Sequence, residues 1–193
     1  MKDLNENFRF SRYENSFIWL KEAGVALPVY CVQEPELPLL LSKSTNLFKL
    51  FLSDVGLLAS MYVDGLQLKI LSREKGINFG AIYENVAAQE LKAHGFELYY
   101  FNSKKQGELD FVIEYKGNVL PLEIKSGKAY TRHNALDNVL KEERYAIPQA
   151  FVFCNKNIST QEKIVYLPIY MIGFLEKEKI EEYIYSIDLS ALQ

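Results

Sequence analysis

The chain has 193 residues, 49% of them hydrophobic, with a formal net charge of -3 and an isoelectric point near 5.6. That length and apolar content suit one folded domain, or one domain with a small appendage, and predict a folded globular protein. The acidic balance offers no whole-molecule field to a polyanion, so nucleic-acid binding would need a locally basic face.

Taken in chain order, "SRYENSFIWLKEAG" starts on a Ser cap, places Tyr13, Phe17 and Leu20 on one face and stops at Gly24, which predicts a short amphipathic helix. Trp19 and Leu20 read as a helix-to-strand core contact. Two short extended segments follow, "VALPVYCV" and "PLLL", across the Pro-containing turn "QEPEL". A helix with two such segments has the outline of a small winged-helix-like α+β unit, expected with its connecting helix over residues 1–60. "LFKLFLSDVGLLASMYV" reads as a strand to Phe51 or Leu52, with Ser53 or Asp54 capping a short helix. "DGLQLKILSREKGIN" is a polar connection suited to a boundary.

From Phe79 the pattern is cleaner. "GAIYENVAAQELKAHG" has glycine at both ends and helical spacing at Ile82, Tyr83, Val86, Ala87 and Leu91. Three extended runs come next, "FELYYF", "ELDFVIE" and "VLPLEIK", the last two joined by the hairpin signal "YKGN". "TRHNALDNVLKEER" then reads as a helix and "AFVFC" as a strand, and "KIVYLPIYMIGFL" as one or two further strands with a break at Pro168. The core is expected over residues 77–175, with 176–193 a charged C-terminal segment. Cys31 and Cys154 lie far apart in apolar runs and read as buried thiols of a reducing compartment. "MKDLNENFRF" lacks the apolar segment of a secretory signal, and no window approaches the roughly 18 apolar residues of a membrane span. A cytoplasmic protein without membrane contact is expected.

The chemistry-bearing stretch is "GELDFVIEYKGNVLPLEIKSG". A period of two sets Leu120, Leu122 and Ile124 against Val119, Pro121, Glu123 and Lys125, and sets Leu109, Phe111 and Ile113 against Glu108, Asp110, Val112 and Glu114. Pairing through the YKGN turn lets Asp110 and Glu123 share a face of adjacent strands. Two neighbouring carboxylates repel unless a cation lies between them, and Mg²⁺ takes one or two carboxylates together with waters and a phosphate oxygen. A lysine beside them can stabilise charge building on a phosphate. Glu84 shares a helix face with Ala87, Ala88 and Leu91, whose small residues let the helix lie close on the sheet. Glu-x-Lys by itself is noise, since it occurs three times, at Glu90/Lys92, Glu114/Lys116 and Glu123/Lys125. The third differs in lying on an apolar strand that follows an acid-bearing strand. A satisfied structural ion pair is the bland alternative at this point.

The order of a helix with Glu84, a strand with Asp110 and a strand with Glu123-Ile124-Lys125 resembles the PD-(D/E)xK nuclease superfamily. This restriction-endonuclease-like fold is α/β, a mixed central sheet flanked by helices with a core running α-β-β-β-α-β. More narrowly, "WLKEAG", "FKLFLSDVGLLA", "GAIYENVAAQEL", "GELDFVI" and "PLEIKSG" are similar to an uncharacterised domain that follows an AAA-type ATPase module in many bacterial and archaeal proteins. The resemblance implies Glu84, Asp110 and Glu123 as acidic metal ligands, Lys125 as the catalytic lysine, and Mg²⁺ or Mn²⁺ as cofactor. It further implies hydrolysis of DNA or RNA phosphodiester bonds by a metal-activated water. "GELD" lacks the proline sometimes found before the acid, a common variation. No ATP site is expected, because "SGKAY" has Leu122 where a P-loop needs its first glycine and Ala129 where it needs Ser or Thr. The chain would then be a free-standing relative or the C-terminal portion of a longer protein. The rival reading keeps the fold as a non-catalytic module for docking to an AAA-type ATPase or another protein, or for nucleic-acid binding.

Lys104 and Lys105 before Asp110, with Lys128 and Arg132 after Lys125, are candidates for a local basic face, against the plainer reading of solvated loops. His133 is placed at the start of a helix as a surface residue or a proton-transfer aid, and His94 at a helix C-terminus beside its dipole. Tyr99, Tyr100 and Phe101 read as core rather than as a base-stacking platform.

Overall fold

The computed structural model describes residues 14–62, 65–72, 74 and 79–177. Ser11 and Tyr13, parts of the polar connection and nearly all of the charged C-terminal segment lie outside the described residues. Five helices are described: α1 (Glu14–Glu22), α2 (Val55–Ser60), α3 (Leu66–Leu71), α4 (Gly80–Ala93) and α5 (Asn134–Leu140). The strands are β1 (Ala26–Val32), β2 (Lys43–Leu52), β3 (Tyr99–Ser103), β4 (Gly107–Tyr115), β5 (Asn118–Ile124), β6 (Ala150–Cys154), β7 (Ser159–Gln161) and β8 (Ile164–Pro168).

The strands form one eight-stranded sheet in the order β2-β1-β3-β4-β5-β6-β8-β7. β1 with β3, β5 with β6, and β6 with β8 are parallel, while the remaining neighbours are antiparallel. The fold is mixed α/β with helices on the sheet, and α4-β3-β4-β5-α5-β6 follows the expected order of elements. Of the two extended segments expected in a winged-helix-like unit, "VALPVYCV" belongs to this same sheet: β1 pairs with β3 from Tyr30↔Tyr99 to Val32↔Phe101. "PLLL" is a 3-10 turn, Leu39–Ser42, rather than a strand.

Each face carries its own core. On one, Ala87, Ala88 and Leu91 of α4 pack with Val29, Phe111, Leu122 and Phe153. On the other, Leu136 and Val139 of α5 pack with Leu109, Val112, Val152 and Tyr166. The two alanines have no exposed surface, so α4 can lie close on the sheet as its small residues predicted. Burying a side chain such as Leu91 stabilises by about 1.5–3 kcal/mol. α4 is also tied to the end of β2: Asn85 accepts from Leu52 N at 2.8 Å and donates to Leu52 O at 2.9 Å, and Gln89 accepts from Val55 N at 3.0 Å. Asp54 caps α2 by accepting from Leu57 N at 2.7 Å.

Three expectations fail for identifiable reasons. Trp19 is 77% exposed, because Phe17, not Trp19, makes the helix-to-strand contact, edge-on to Phe48 with ring centroids 5.0 Å apart. α5 is only seven residues long, since a 3-10 turn at Glu143–Tyr145 follows it. Leu109 and Phe111 do not share a face. Tyr99 pairs with Val112 but Phe101 with Leu109, so Asp110 and Phe111 together stand opposite Tyr100. This β-bulge sends Leu109 into one core and Phe111 into the other.

Candidate acid-lysine site

The hairpin that presents the site is fixed by its turn. Lys116 and Gly117 have φ of 50° and 71°, the pair of positive values a two-residue turn of the primed type requires. From Tyr115↔Asn118 the register runs to Phe111↔Leu122, where the ladder ends. One step further the same register sets Asp110 opposite Glu123. There the Asp110 carboxylate takes the place of a main-chain acceptor, with Oδ2 accepting from Ile124 N at 2.8 Å.

Glu123 is 3% exposed, and Lys125 donates to its Oε2 at 2.6 Å. Burial, then the neighbouring Asp110 charge, pushes the Glu123 carboxyl up to about 7, against the pull of Lys125. Lys125 is half-buried. Burial pushes its ammonium down, but Glu123, Asp110 and Glu84 outweigh that and hold it above its ordinary value. Burial also raises Glu84, with Asp110 adding to the effect and Lys49 and Lys125 opposing it. Glu84 from α4 and Glu123 at the end of β5 thus each feel Asp110 of β4 and Lys125, which follows β5.

Two side chains at this site had no signal in the sequence. Lys49 of β2 forms an ion pair with Glu108 and lies 5.0 Å from the centroid of the Tyr100 ring, while Asn102 donates to Glu108 at 2.9 Å. Lys49 arrives through the β1–β3 pairing, a long-range contact that local periodicity does not encode. Lys104 and Lys105 are exposed in the β3–β4 turn, with Lys105 3.8 Å from Glu142 just beyond α5. Lys128 and Arg132 are exposed in the loop that leads into α5. The two groups flank opposite ends of α5.

His133 is not a surface residue. It occupies the N-cap position of α5 and is buried, with Nδ1 2.9 Å from Asp137 Oδ1 and Nε2 2.8 Å from Tyr166 OH. His94 stands at the C-cap of α4, where Nδ1 meets Leu175 O at 2.8 Å. Tyr99, Tyr100 and Phe101 are core, and Cys31 and Cys154 are buried free thiols.

Among the described residues, no group of three or more His, Cys, Asp or Glu side chains is disposed to hold a metal ion. The donor chemistry of Asp110 and Glu123 nevertheless suits a hard divalent cation. Both offer carboxylate oxygens, and their mutual repulsion is what a cation between them relieves. Asp110 and Glu123 fit such an ion as a pair. Among the described residues no helix is long and apolar enough to cross a membrane.

Comparison with curated proteins and with solved structures found no match. Over residues 79–172, which carry α4 through β8 and with them Glu84, Asp110, Glu123 and Lys125, the chain matches a family model described as a domain of unknown function, DUF4143.

Proposed function

We propose that the chain is a PD-(D/E)xK-like nuclease module that hydrolyses DNA or RNA phosphodiester bonds at the acid-lysine site. The observation that carries this reading is the placement of Asp110, held by Ile124 N, next to a buried Glu123 paired with Lys125. Asp110 and Glu123 would hold Mg²⁺ or Mn²⁺, which supplies Lewis-acid polarisation of a phosphate oxygen and a nucleophilic water at neutral pH. The Ile124 amide fixes the Asp110 carboxylate in orientation. Lys125 keeps its proton because three carboxylates surround it, so it can donate to a phosphate oxygen as negative charge accumulates there. Glu84 lies in the field of the same lysine and helps to hold that charge in place.

The test is nicking of supercoiled DNA and of single-stranded RNA by the full chain with Mg²⁺ or Mn²⁺. Lys125→Ala should lower the rate by about 10²-fold or more while leaving the melting temperature within a few degrees. Equal activity in the variant overturns the assignment.

A second reading, a non-catalytic module that docks an AAA-type ATPase or another protein, is favoured by one observation. α1 turns apolar side chains outward, with Ile18 49% and Trp19 77% exposed. A Mn²⁺ titration separates the two: the nuclease reading requires divalent-ion affinity that Asp110→Asn abolishes, and the docking reading requires none.

A further inference from the structure

A second concavity lies away from the acid cluster, at a notch in the sheet. β1 pairs with β3 only from Tyr30↔Tyr99 onward, so Ala26–Val29 have no β3 partner beside them. The chain reaches β3 from α4 through a turn at residues 94–98. Between the two lies a cavity of about 410 Å³, within the range of small-molecule sites. Its floor is apolar: Ala26, Val29 and Leu98 line it and are buried.

Its rim is cationic. Lys21 reaches it from α1, Lys43 from the first residue of β2 and Lys92 from the last turn of α4, against one lining acid, Glu97. Glu97 is engaged by Lys92 at 2.7 Å. Lys43 lies 3.9 Å from the centroid of the Tyr30 ring and has no carboxylate within ion-pair distance among the described residues. Its ammonium protons remain available to an anion, and a cleft with apolar walls strengthens the attraction. An added β-strand suits the notch poorly, because Pro28 sits in the middle of the open β1 edge without an N–H to donate. A small hydrated anion would gain nothing from the apolar floor.

We propose that this notch binds a small amphiphile with a single anionic head, an aliphatic carboxylate whose chain lies against Pro28 and Leu40, apolar lining residues that keep accessible surface, and whose head meets Lys43. The inference is independent of the nuclease reading, since no residue of the acid-lysine site lines the cavity. Decanoate is the probe, titrated calorimetrically into the full chain, with decanol and decyltrimethylammonium as neutral and cationic counterparts. Saturable one-to-one binding of decanoate is expected, with amide shifts at Val29, Leu98 and Tyr99 in NMR spectra. Lys43→Glu should weaken it by about tenfold or more, as should loss of the head charge in decanol. Lys43→Gln, which preserves a polar side chain at the start of β2, serves in its place if the reversal impairs folding. Three results overturn the proposal: no saturable binding, equal affinity for the cationic probe, or shifts centred on exposed Trp19 with Val29 and Leu98 unmoved.

Discussion

Glu123 should make the protein less stable at neutral pH than at mildly acidic pH, and Glu123→Gln should remove that dependence. The carboxyl is 3% exposed and is pushed from 4.5 up to about 7, by burial first and by Asp110 second. An acid whose folded value is raised favours the folded state while it is protonated. Its contribution is complete below about pH 4.5 and is lost as pH rises through about 7. The displacement corresponds to about 3 kcal/mol across that window. Asp110 and Glu84 remain beside Lys125 in the variant and still favour its charged form. Glutamine has the shape of the protonated acid and never ionises, so wild type and variant should be of similar stability near the acidic end. By about pH 8 the variant should be ahead by about 3 kcal/mol. Urea denaturation of both proteins across this range, in metal-free buffer with chelator, reads the difference as a change in midpoint at constant slope. Parallel stability profiles would refute the reasoning, since they would mean that Glu123 ionises as an ordinary surface acid and is not squeezed against Asp110.

Gly107→Ala should destabilise by about 1–3 kcal/mol on urea denaturation, because φ there is +99° and an added Cβ would lie 2.9 Å from Ala135 Cβ on α5. Asn85→Ala should cost about 1–3 kcal/mol by leaving both Leu52 N and Leu52 O without their side-chain partner. Hydrogen exchange at Leu52 should accelerate in that variant by more than at β5 amides, and equal acceleration would show that the contact is not local to the α4–β2 junction.

The parts of the fold legible in the sequence are those set by local chemistry. "YKGN" specified the turn because Lys116 and Gly117 both need positive φ, and the turn specified the register that brings Asp110 up to Glu123. "GAIYENVAAQELKAHG" specified α4 because its apolar spacing and flanking glycines agree. Asp54 specified the start of α2 through its cap. What escaped depends on partners far along the chain. Lys49 reaches Glu108 across 59 positions because β1 enters the sheet beside β3, and parallel pairing leaves no short-range mark. His133 is buried by Tyr166, 33 residues away, and nothing in "TRHNAL" foretells that.

The bulge in β4 is the other illegible feature, and it bears most directly on the site. In a regular strand Leu109 and Phe111 would lie on one face and Asp110 would alternate to the other. The doubled opposition of Asp110 and Phe111 to Tyr100 divides those two apolar residues between the cores, so the extra residue is accommodated at no loss of burial. The ladder to β5 stops at Phe111↔Leu122, and Ile124 N, which a continued ladder would give to a carbonyl of β4, goes instead to the Asp110 side chain. The backbone thereby holds one carboxylate at the point where Glu123 presents the other. Two acids would separate if either were free to turn away. Asp110 is anchored by an amide and Glu123 by burial and Lys125, so their repulsion is not relaxed by rotation and adds to burial in raising the Glu123 pKa in the folded state.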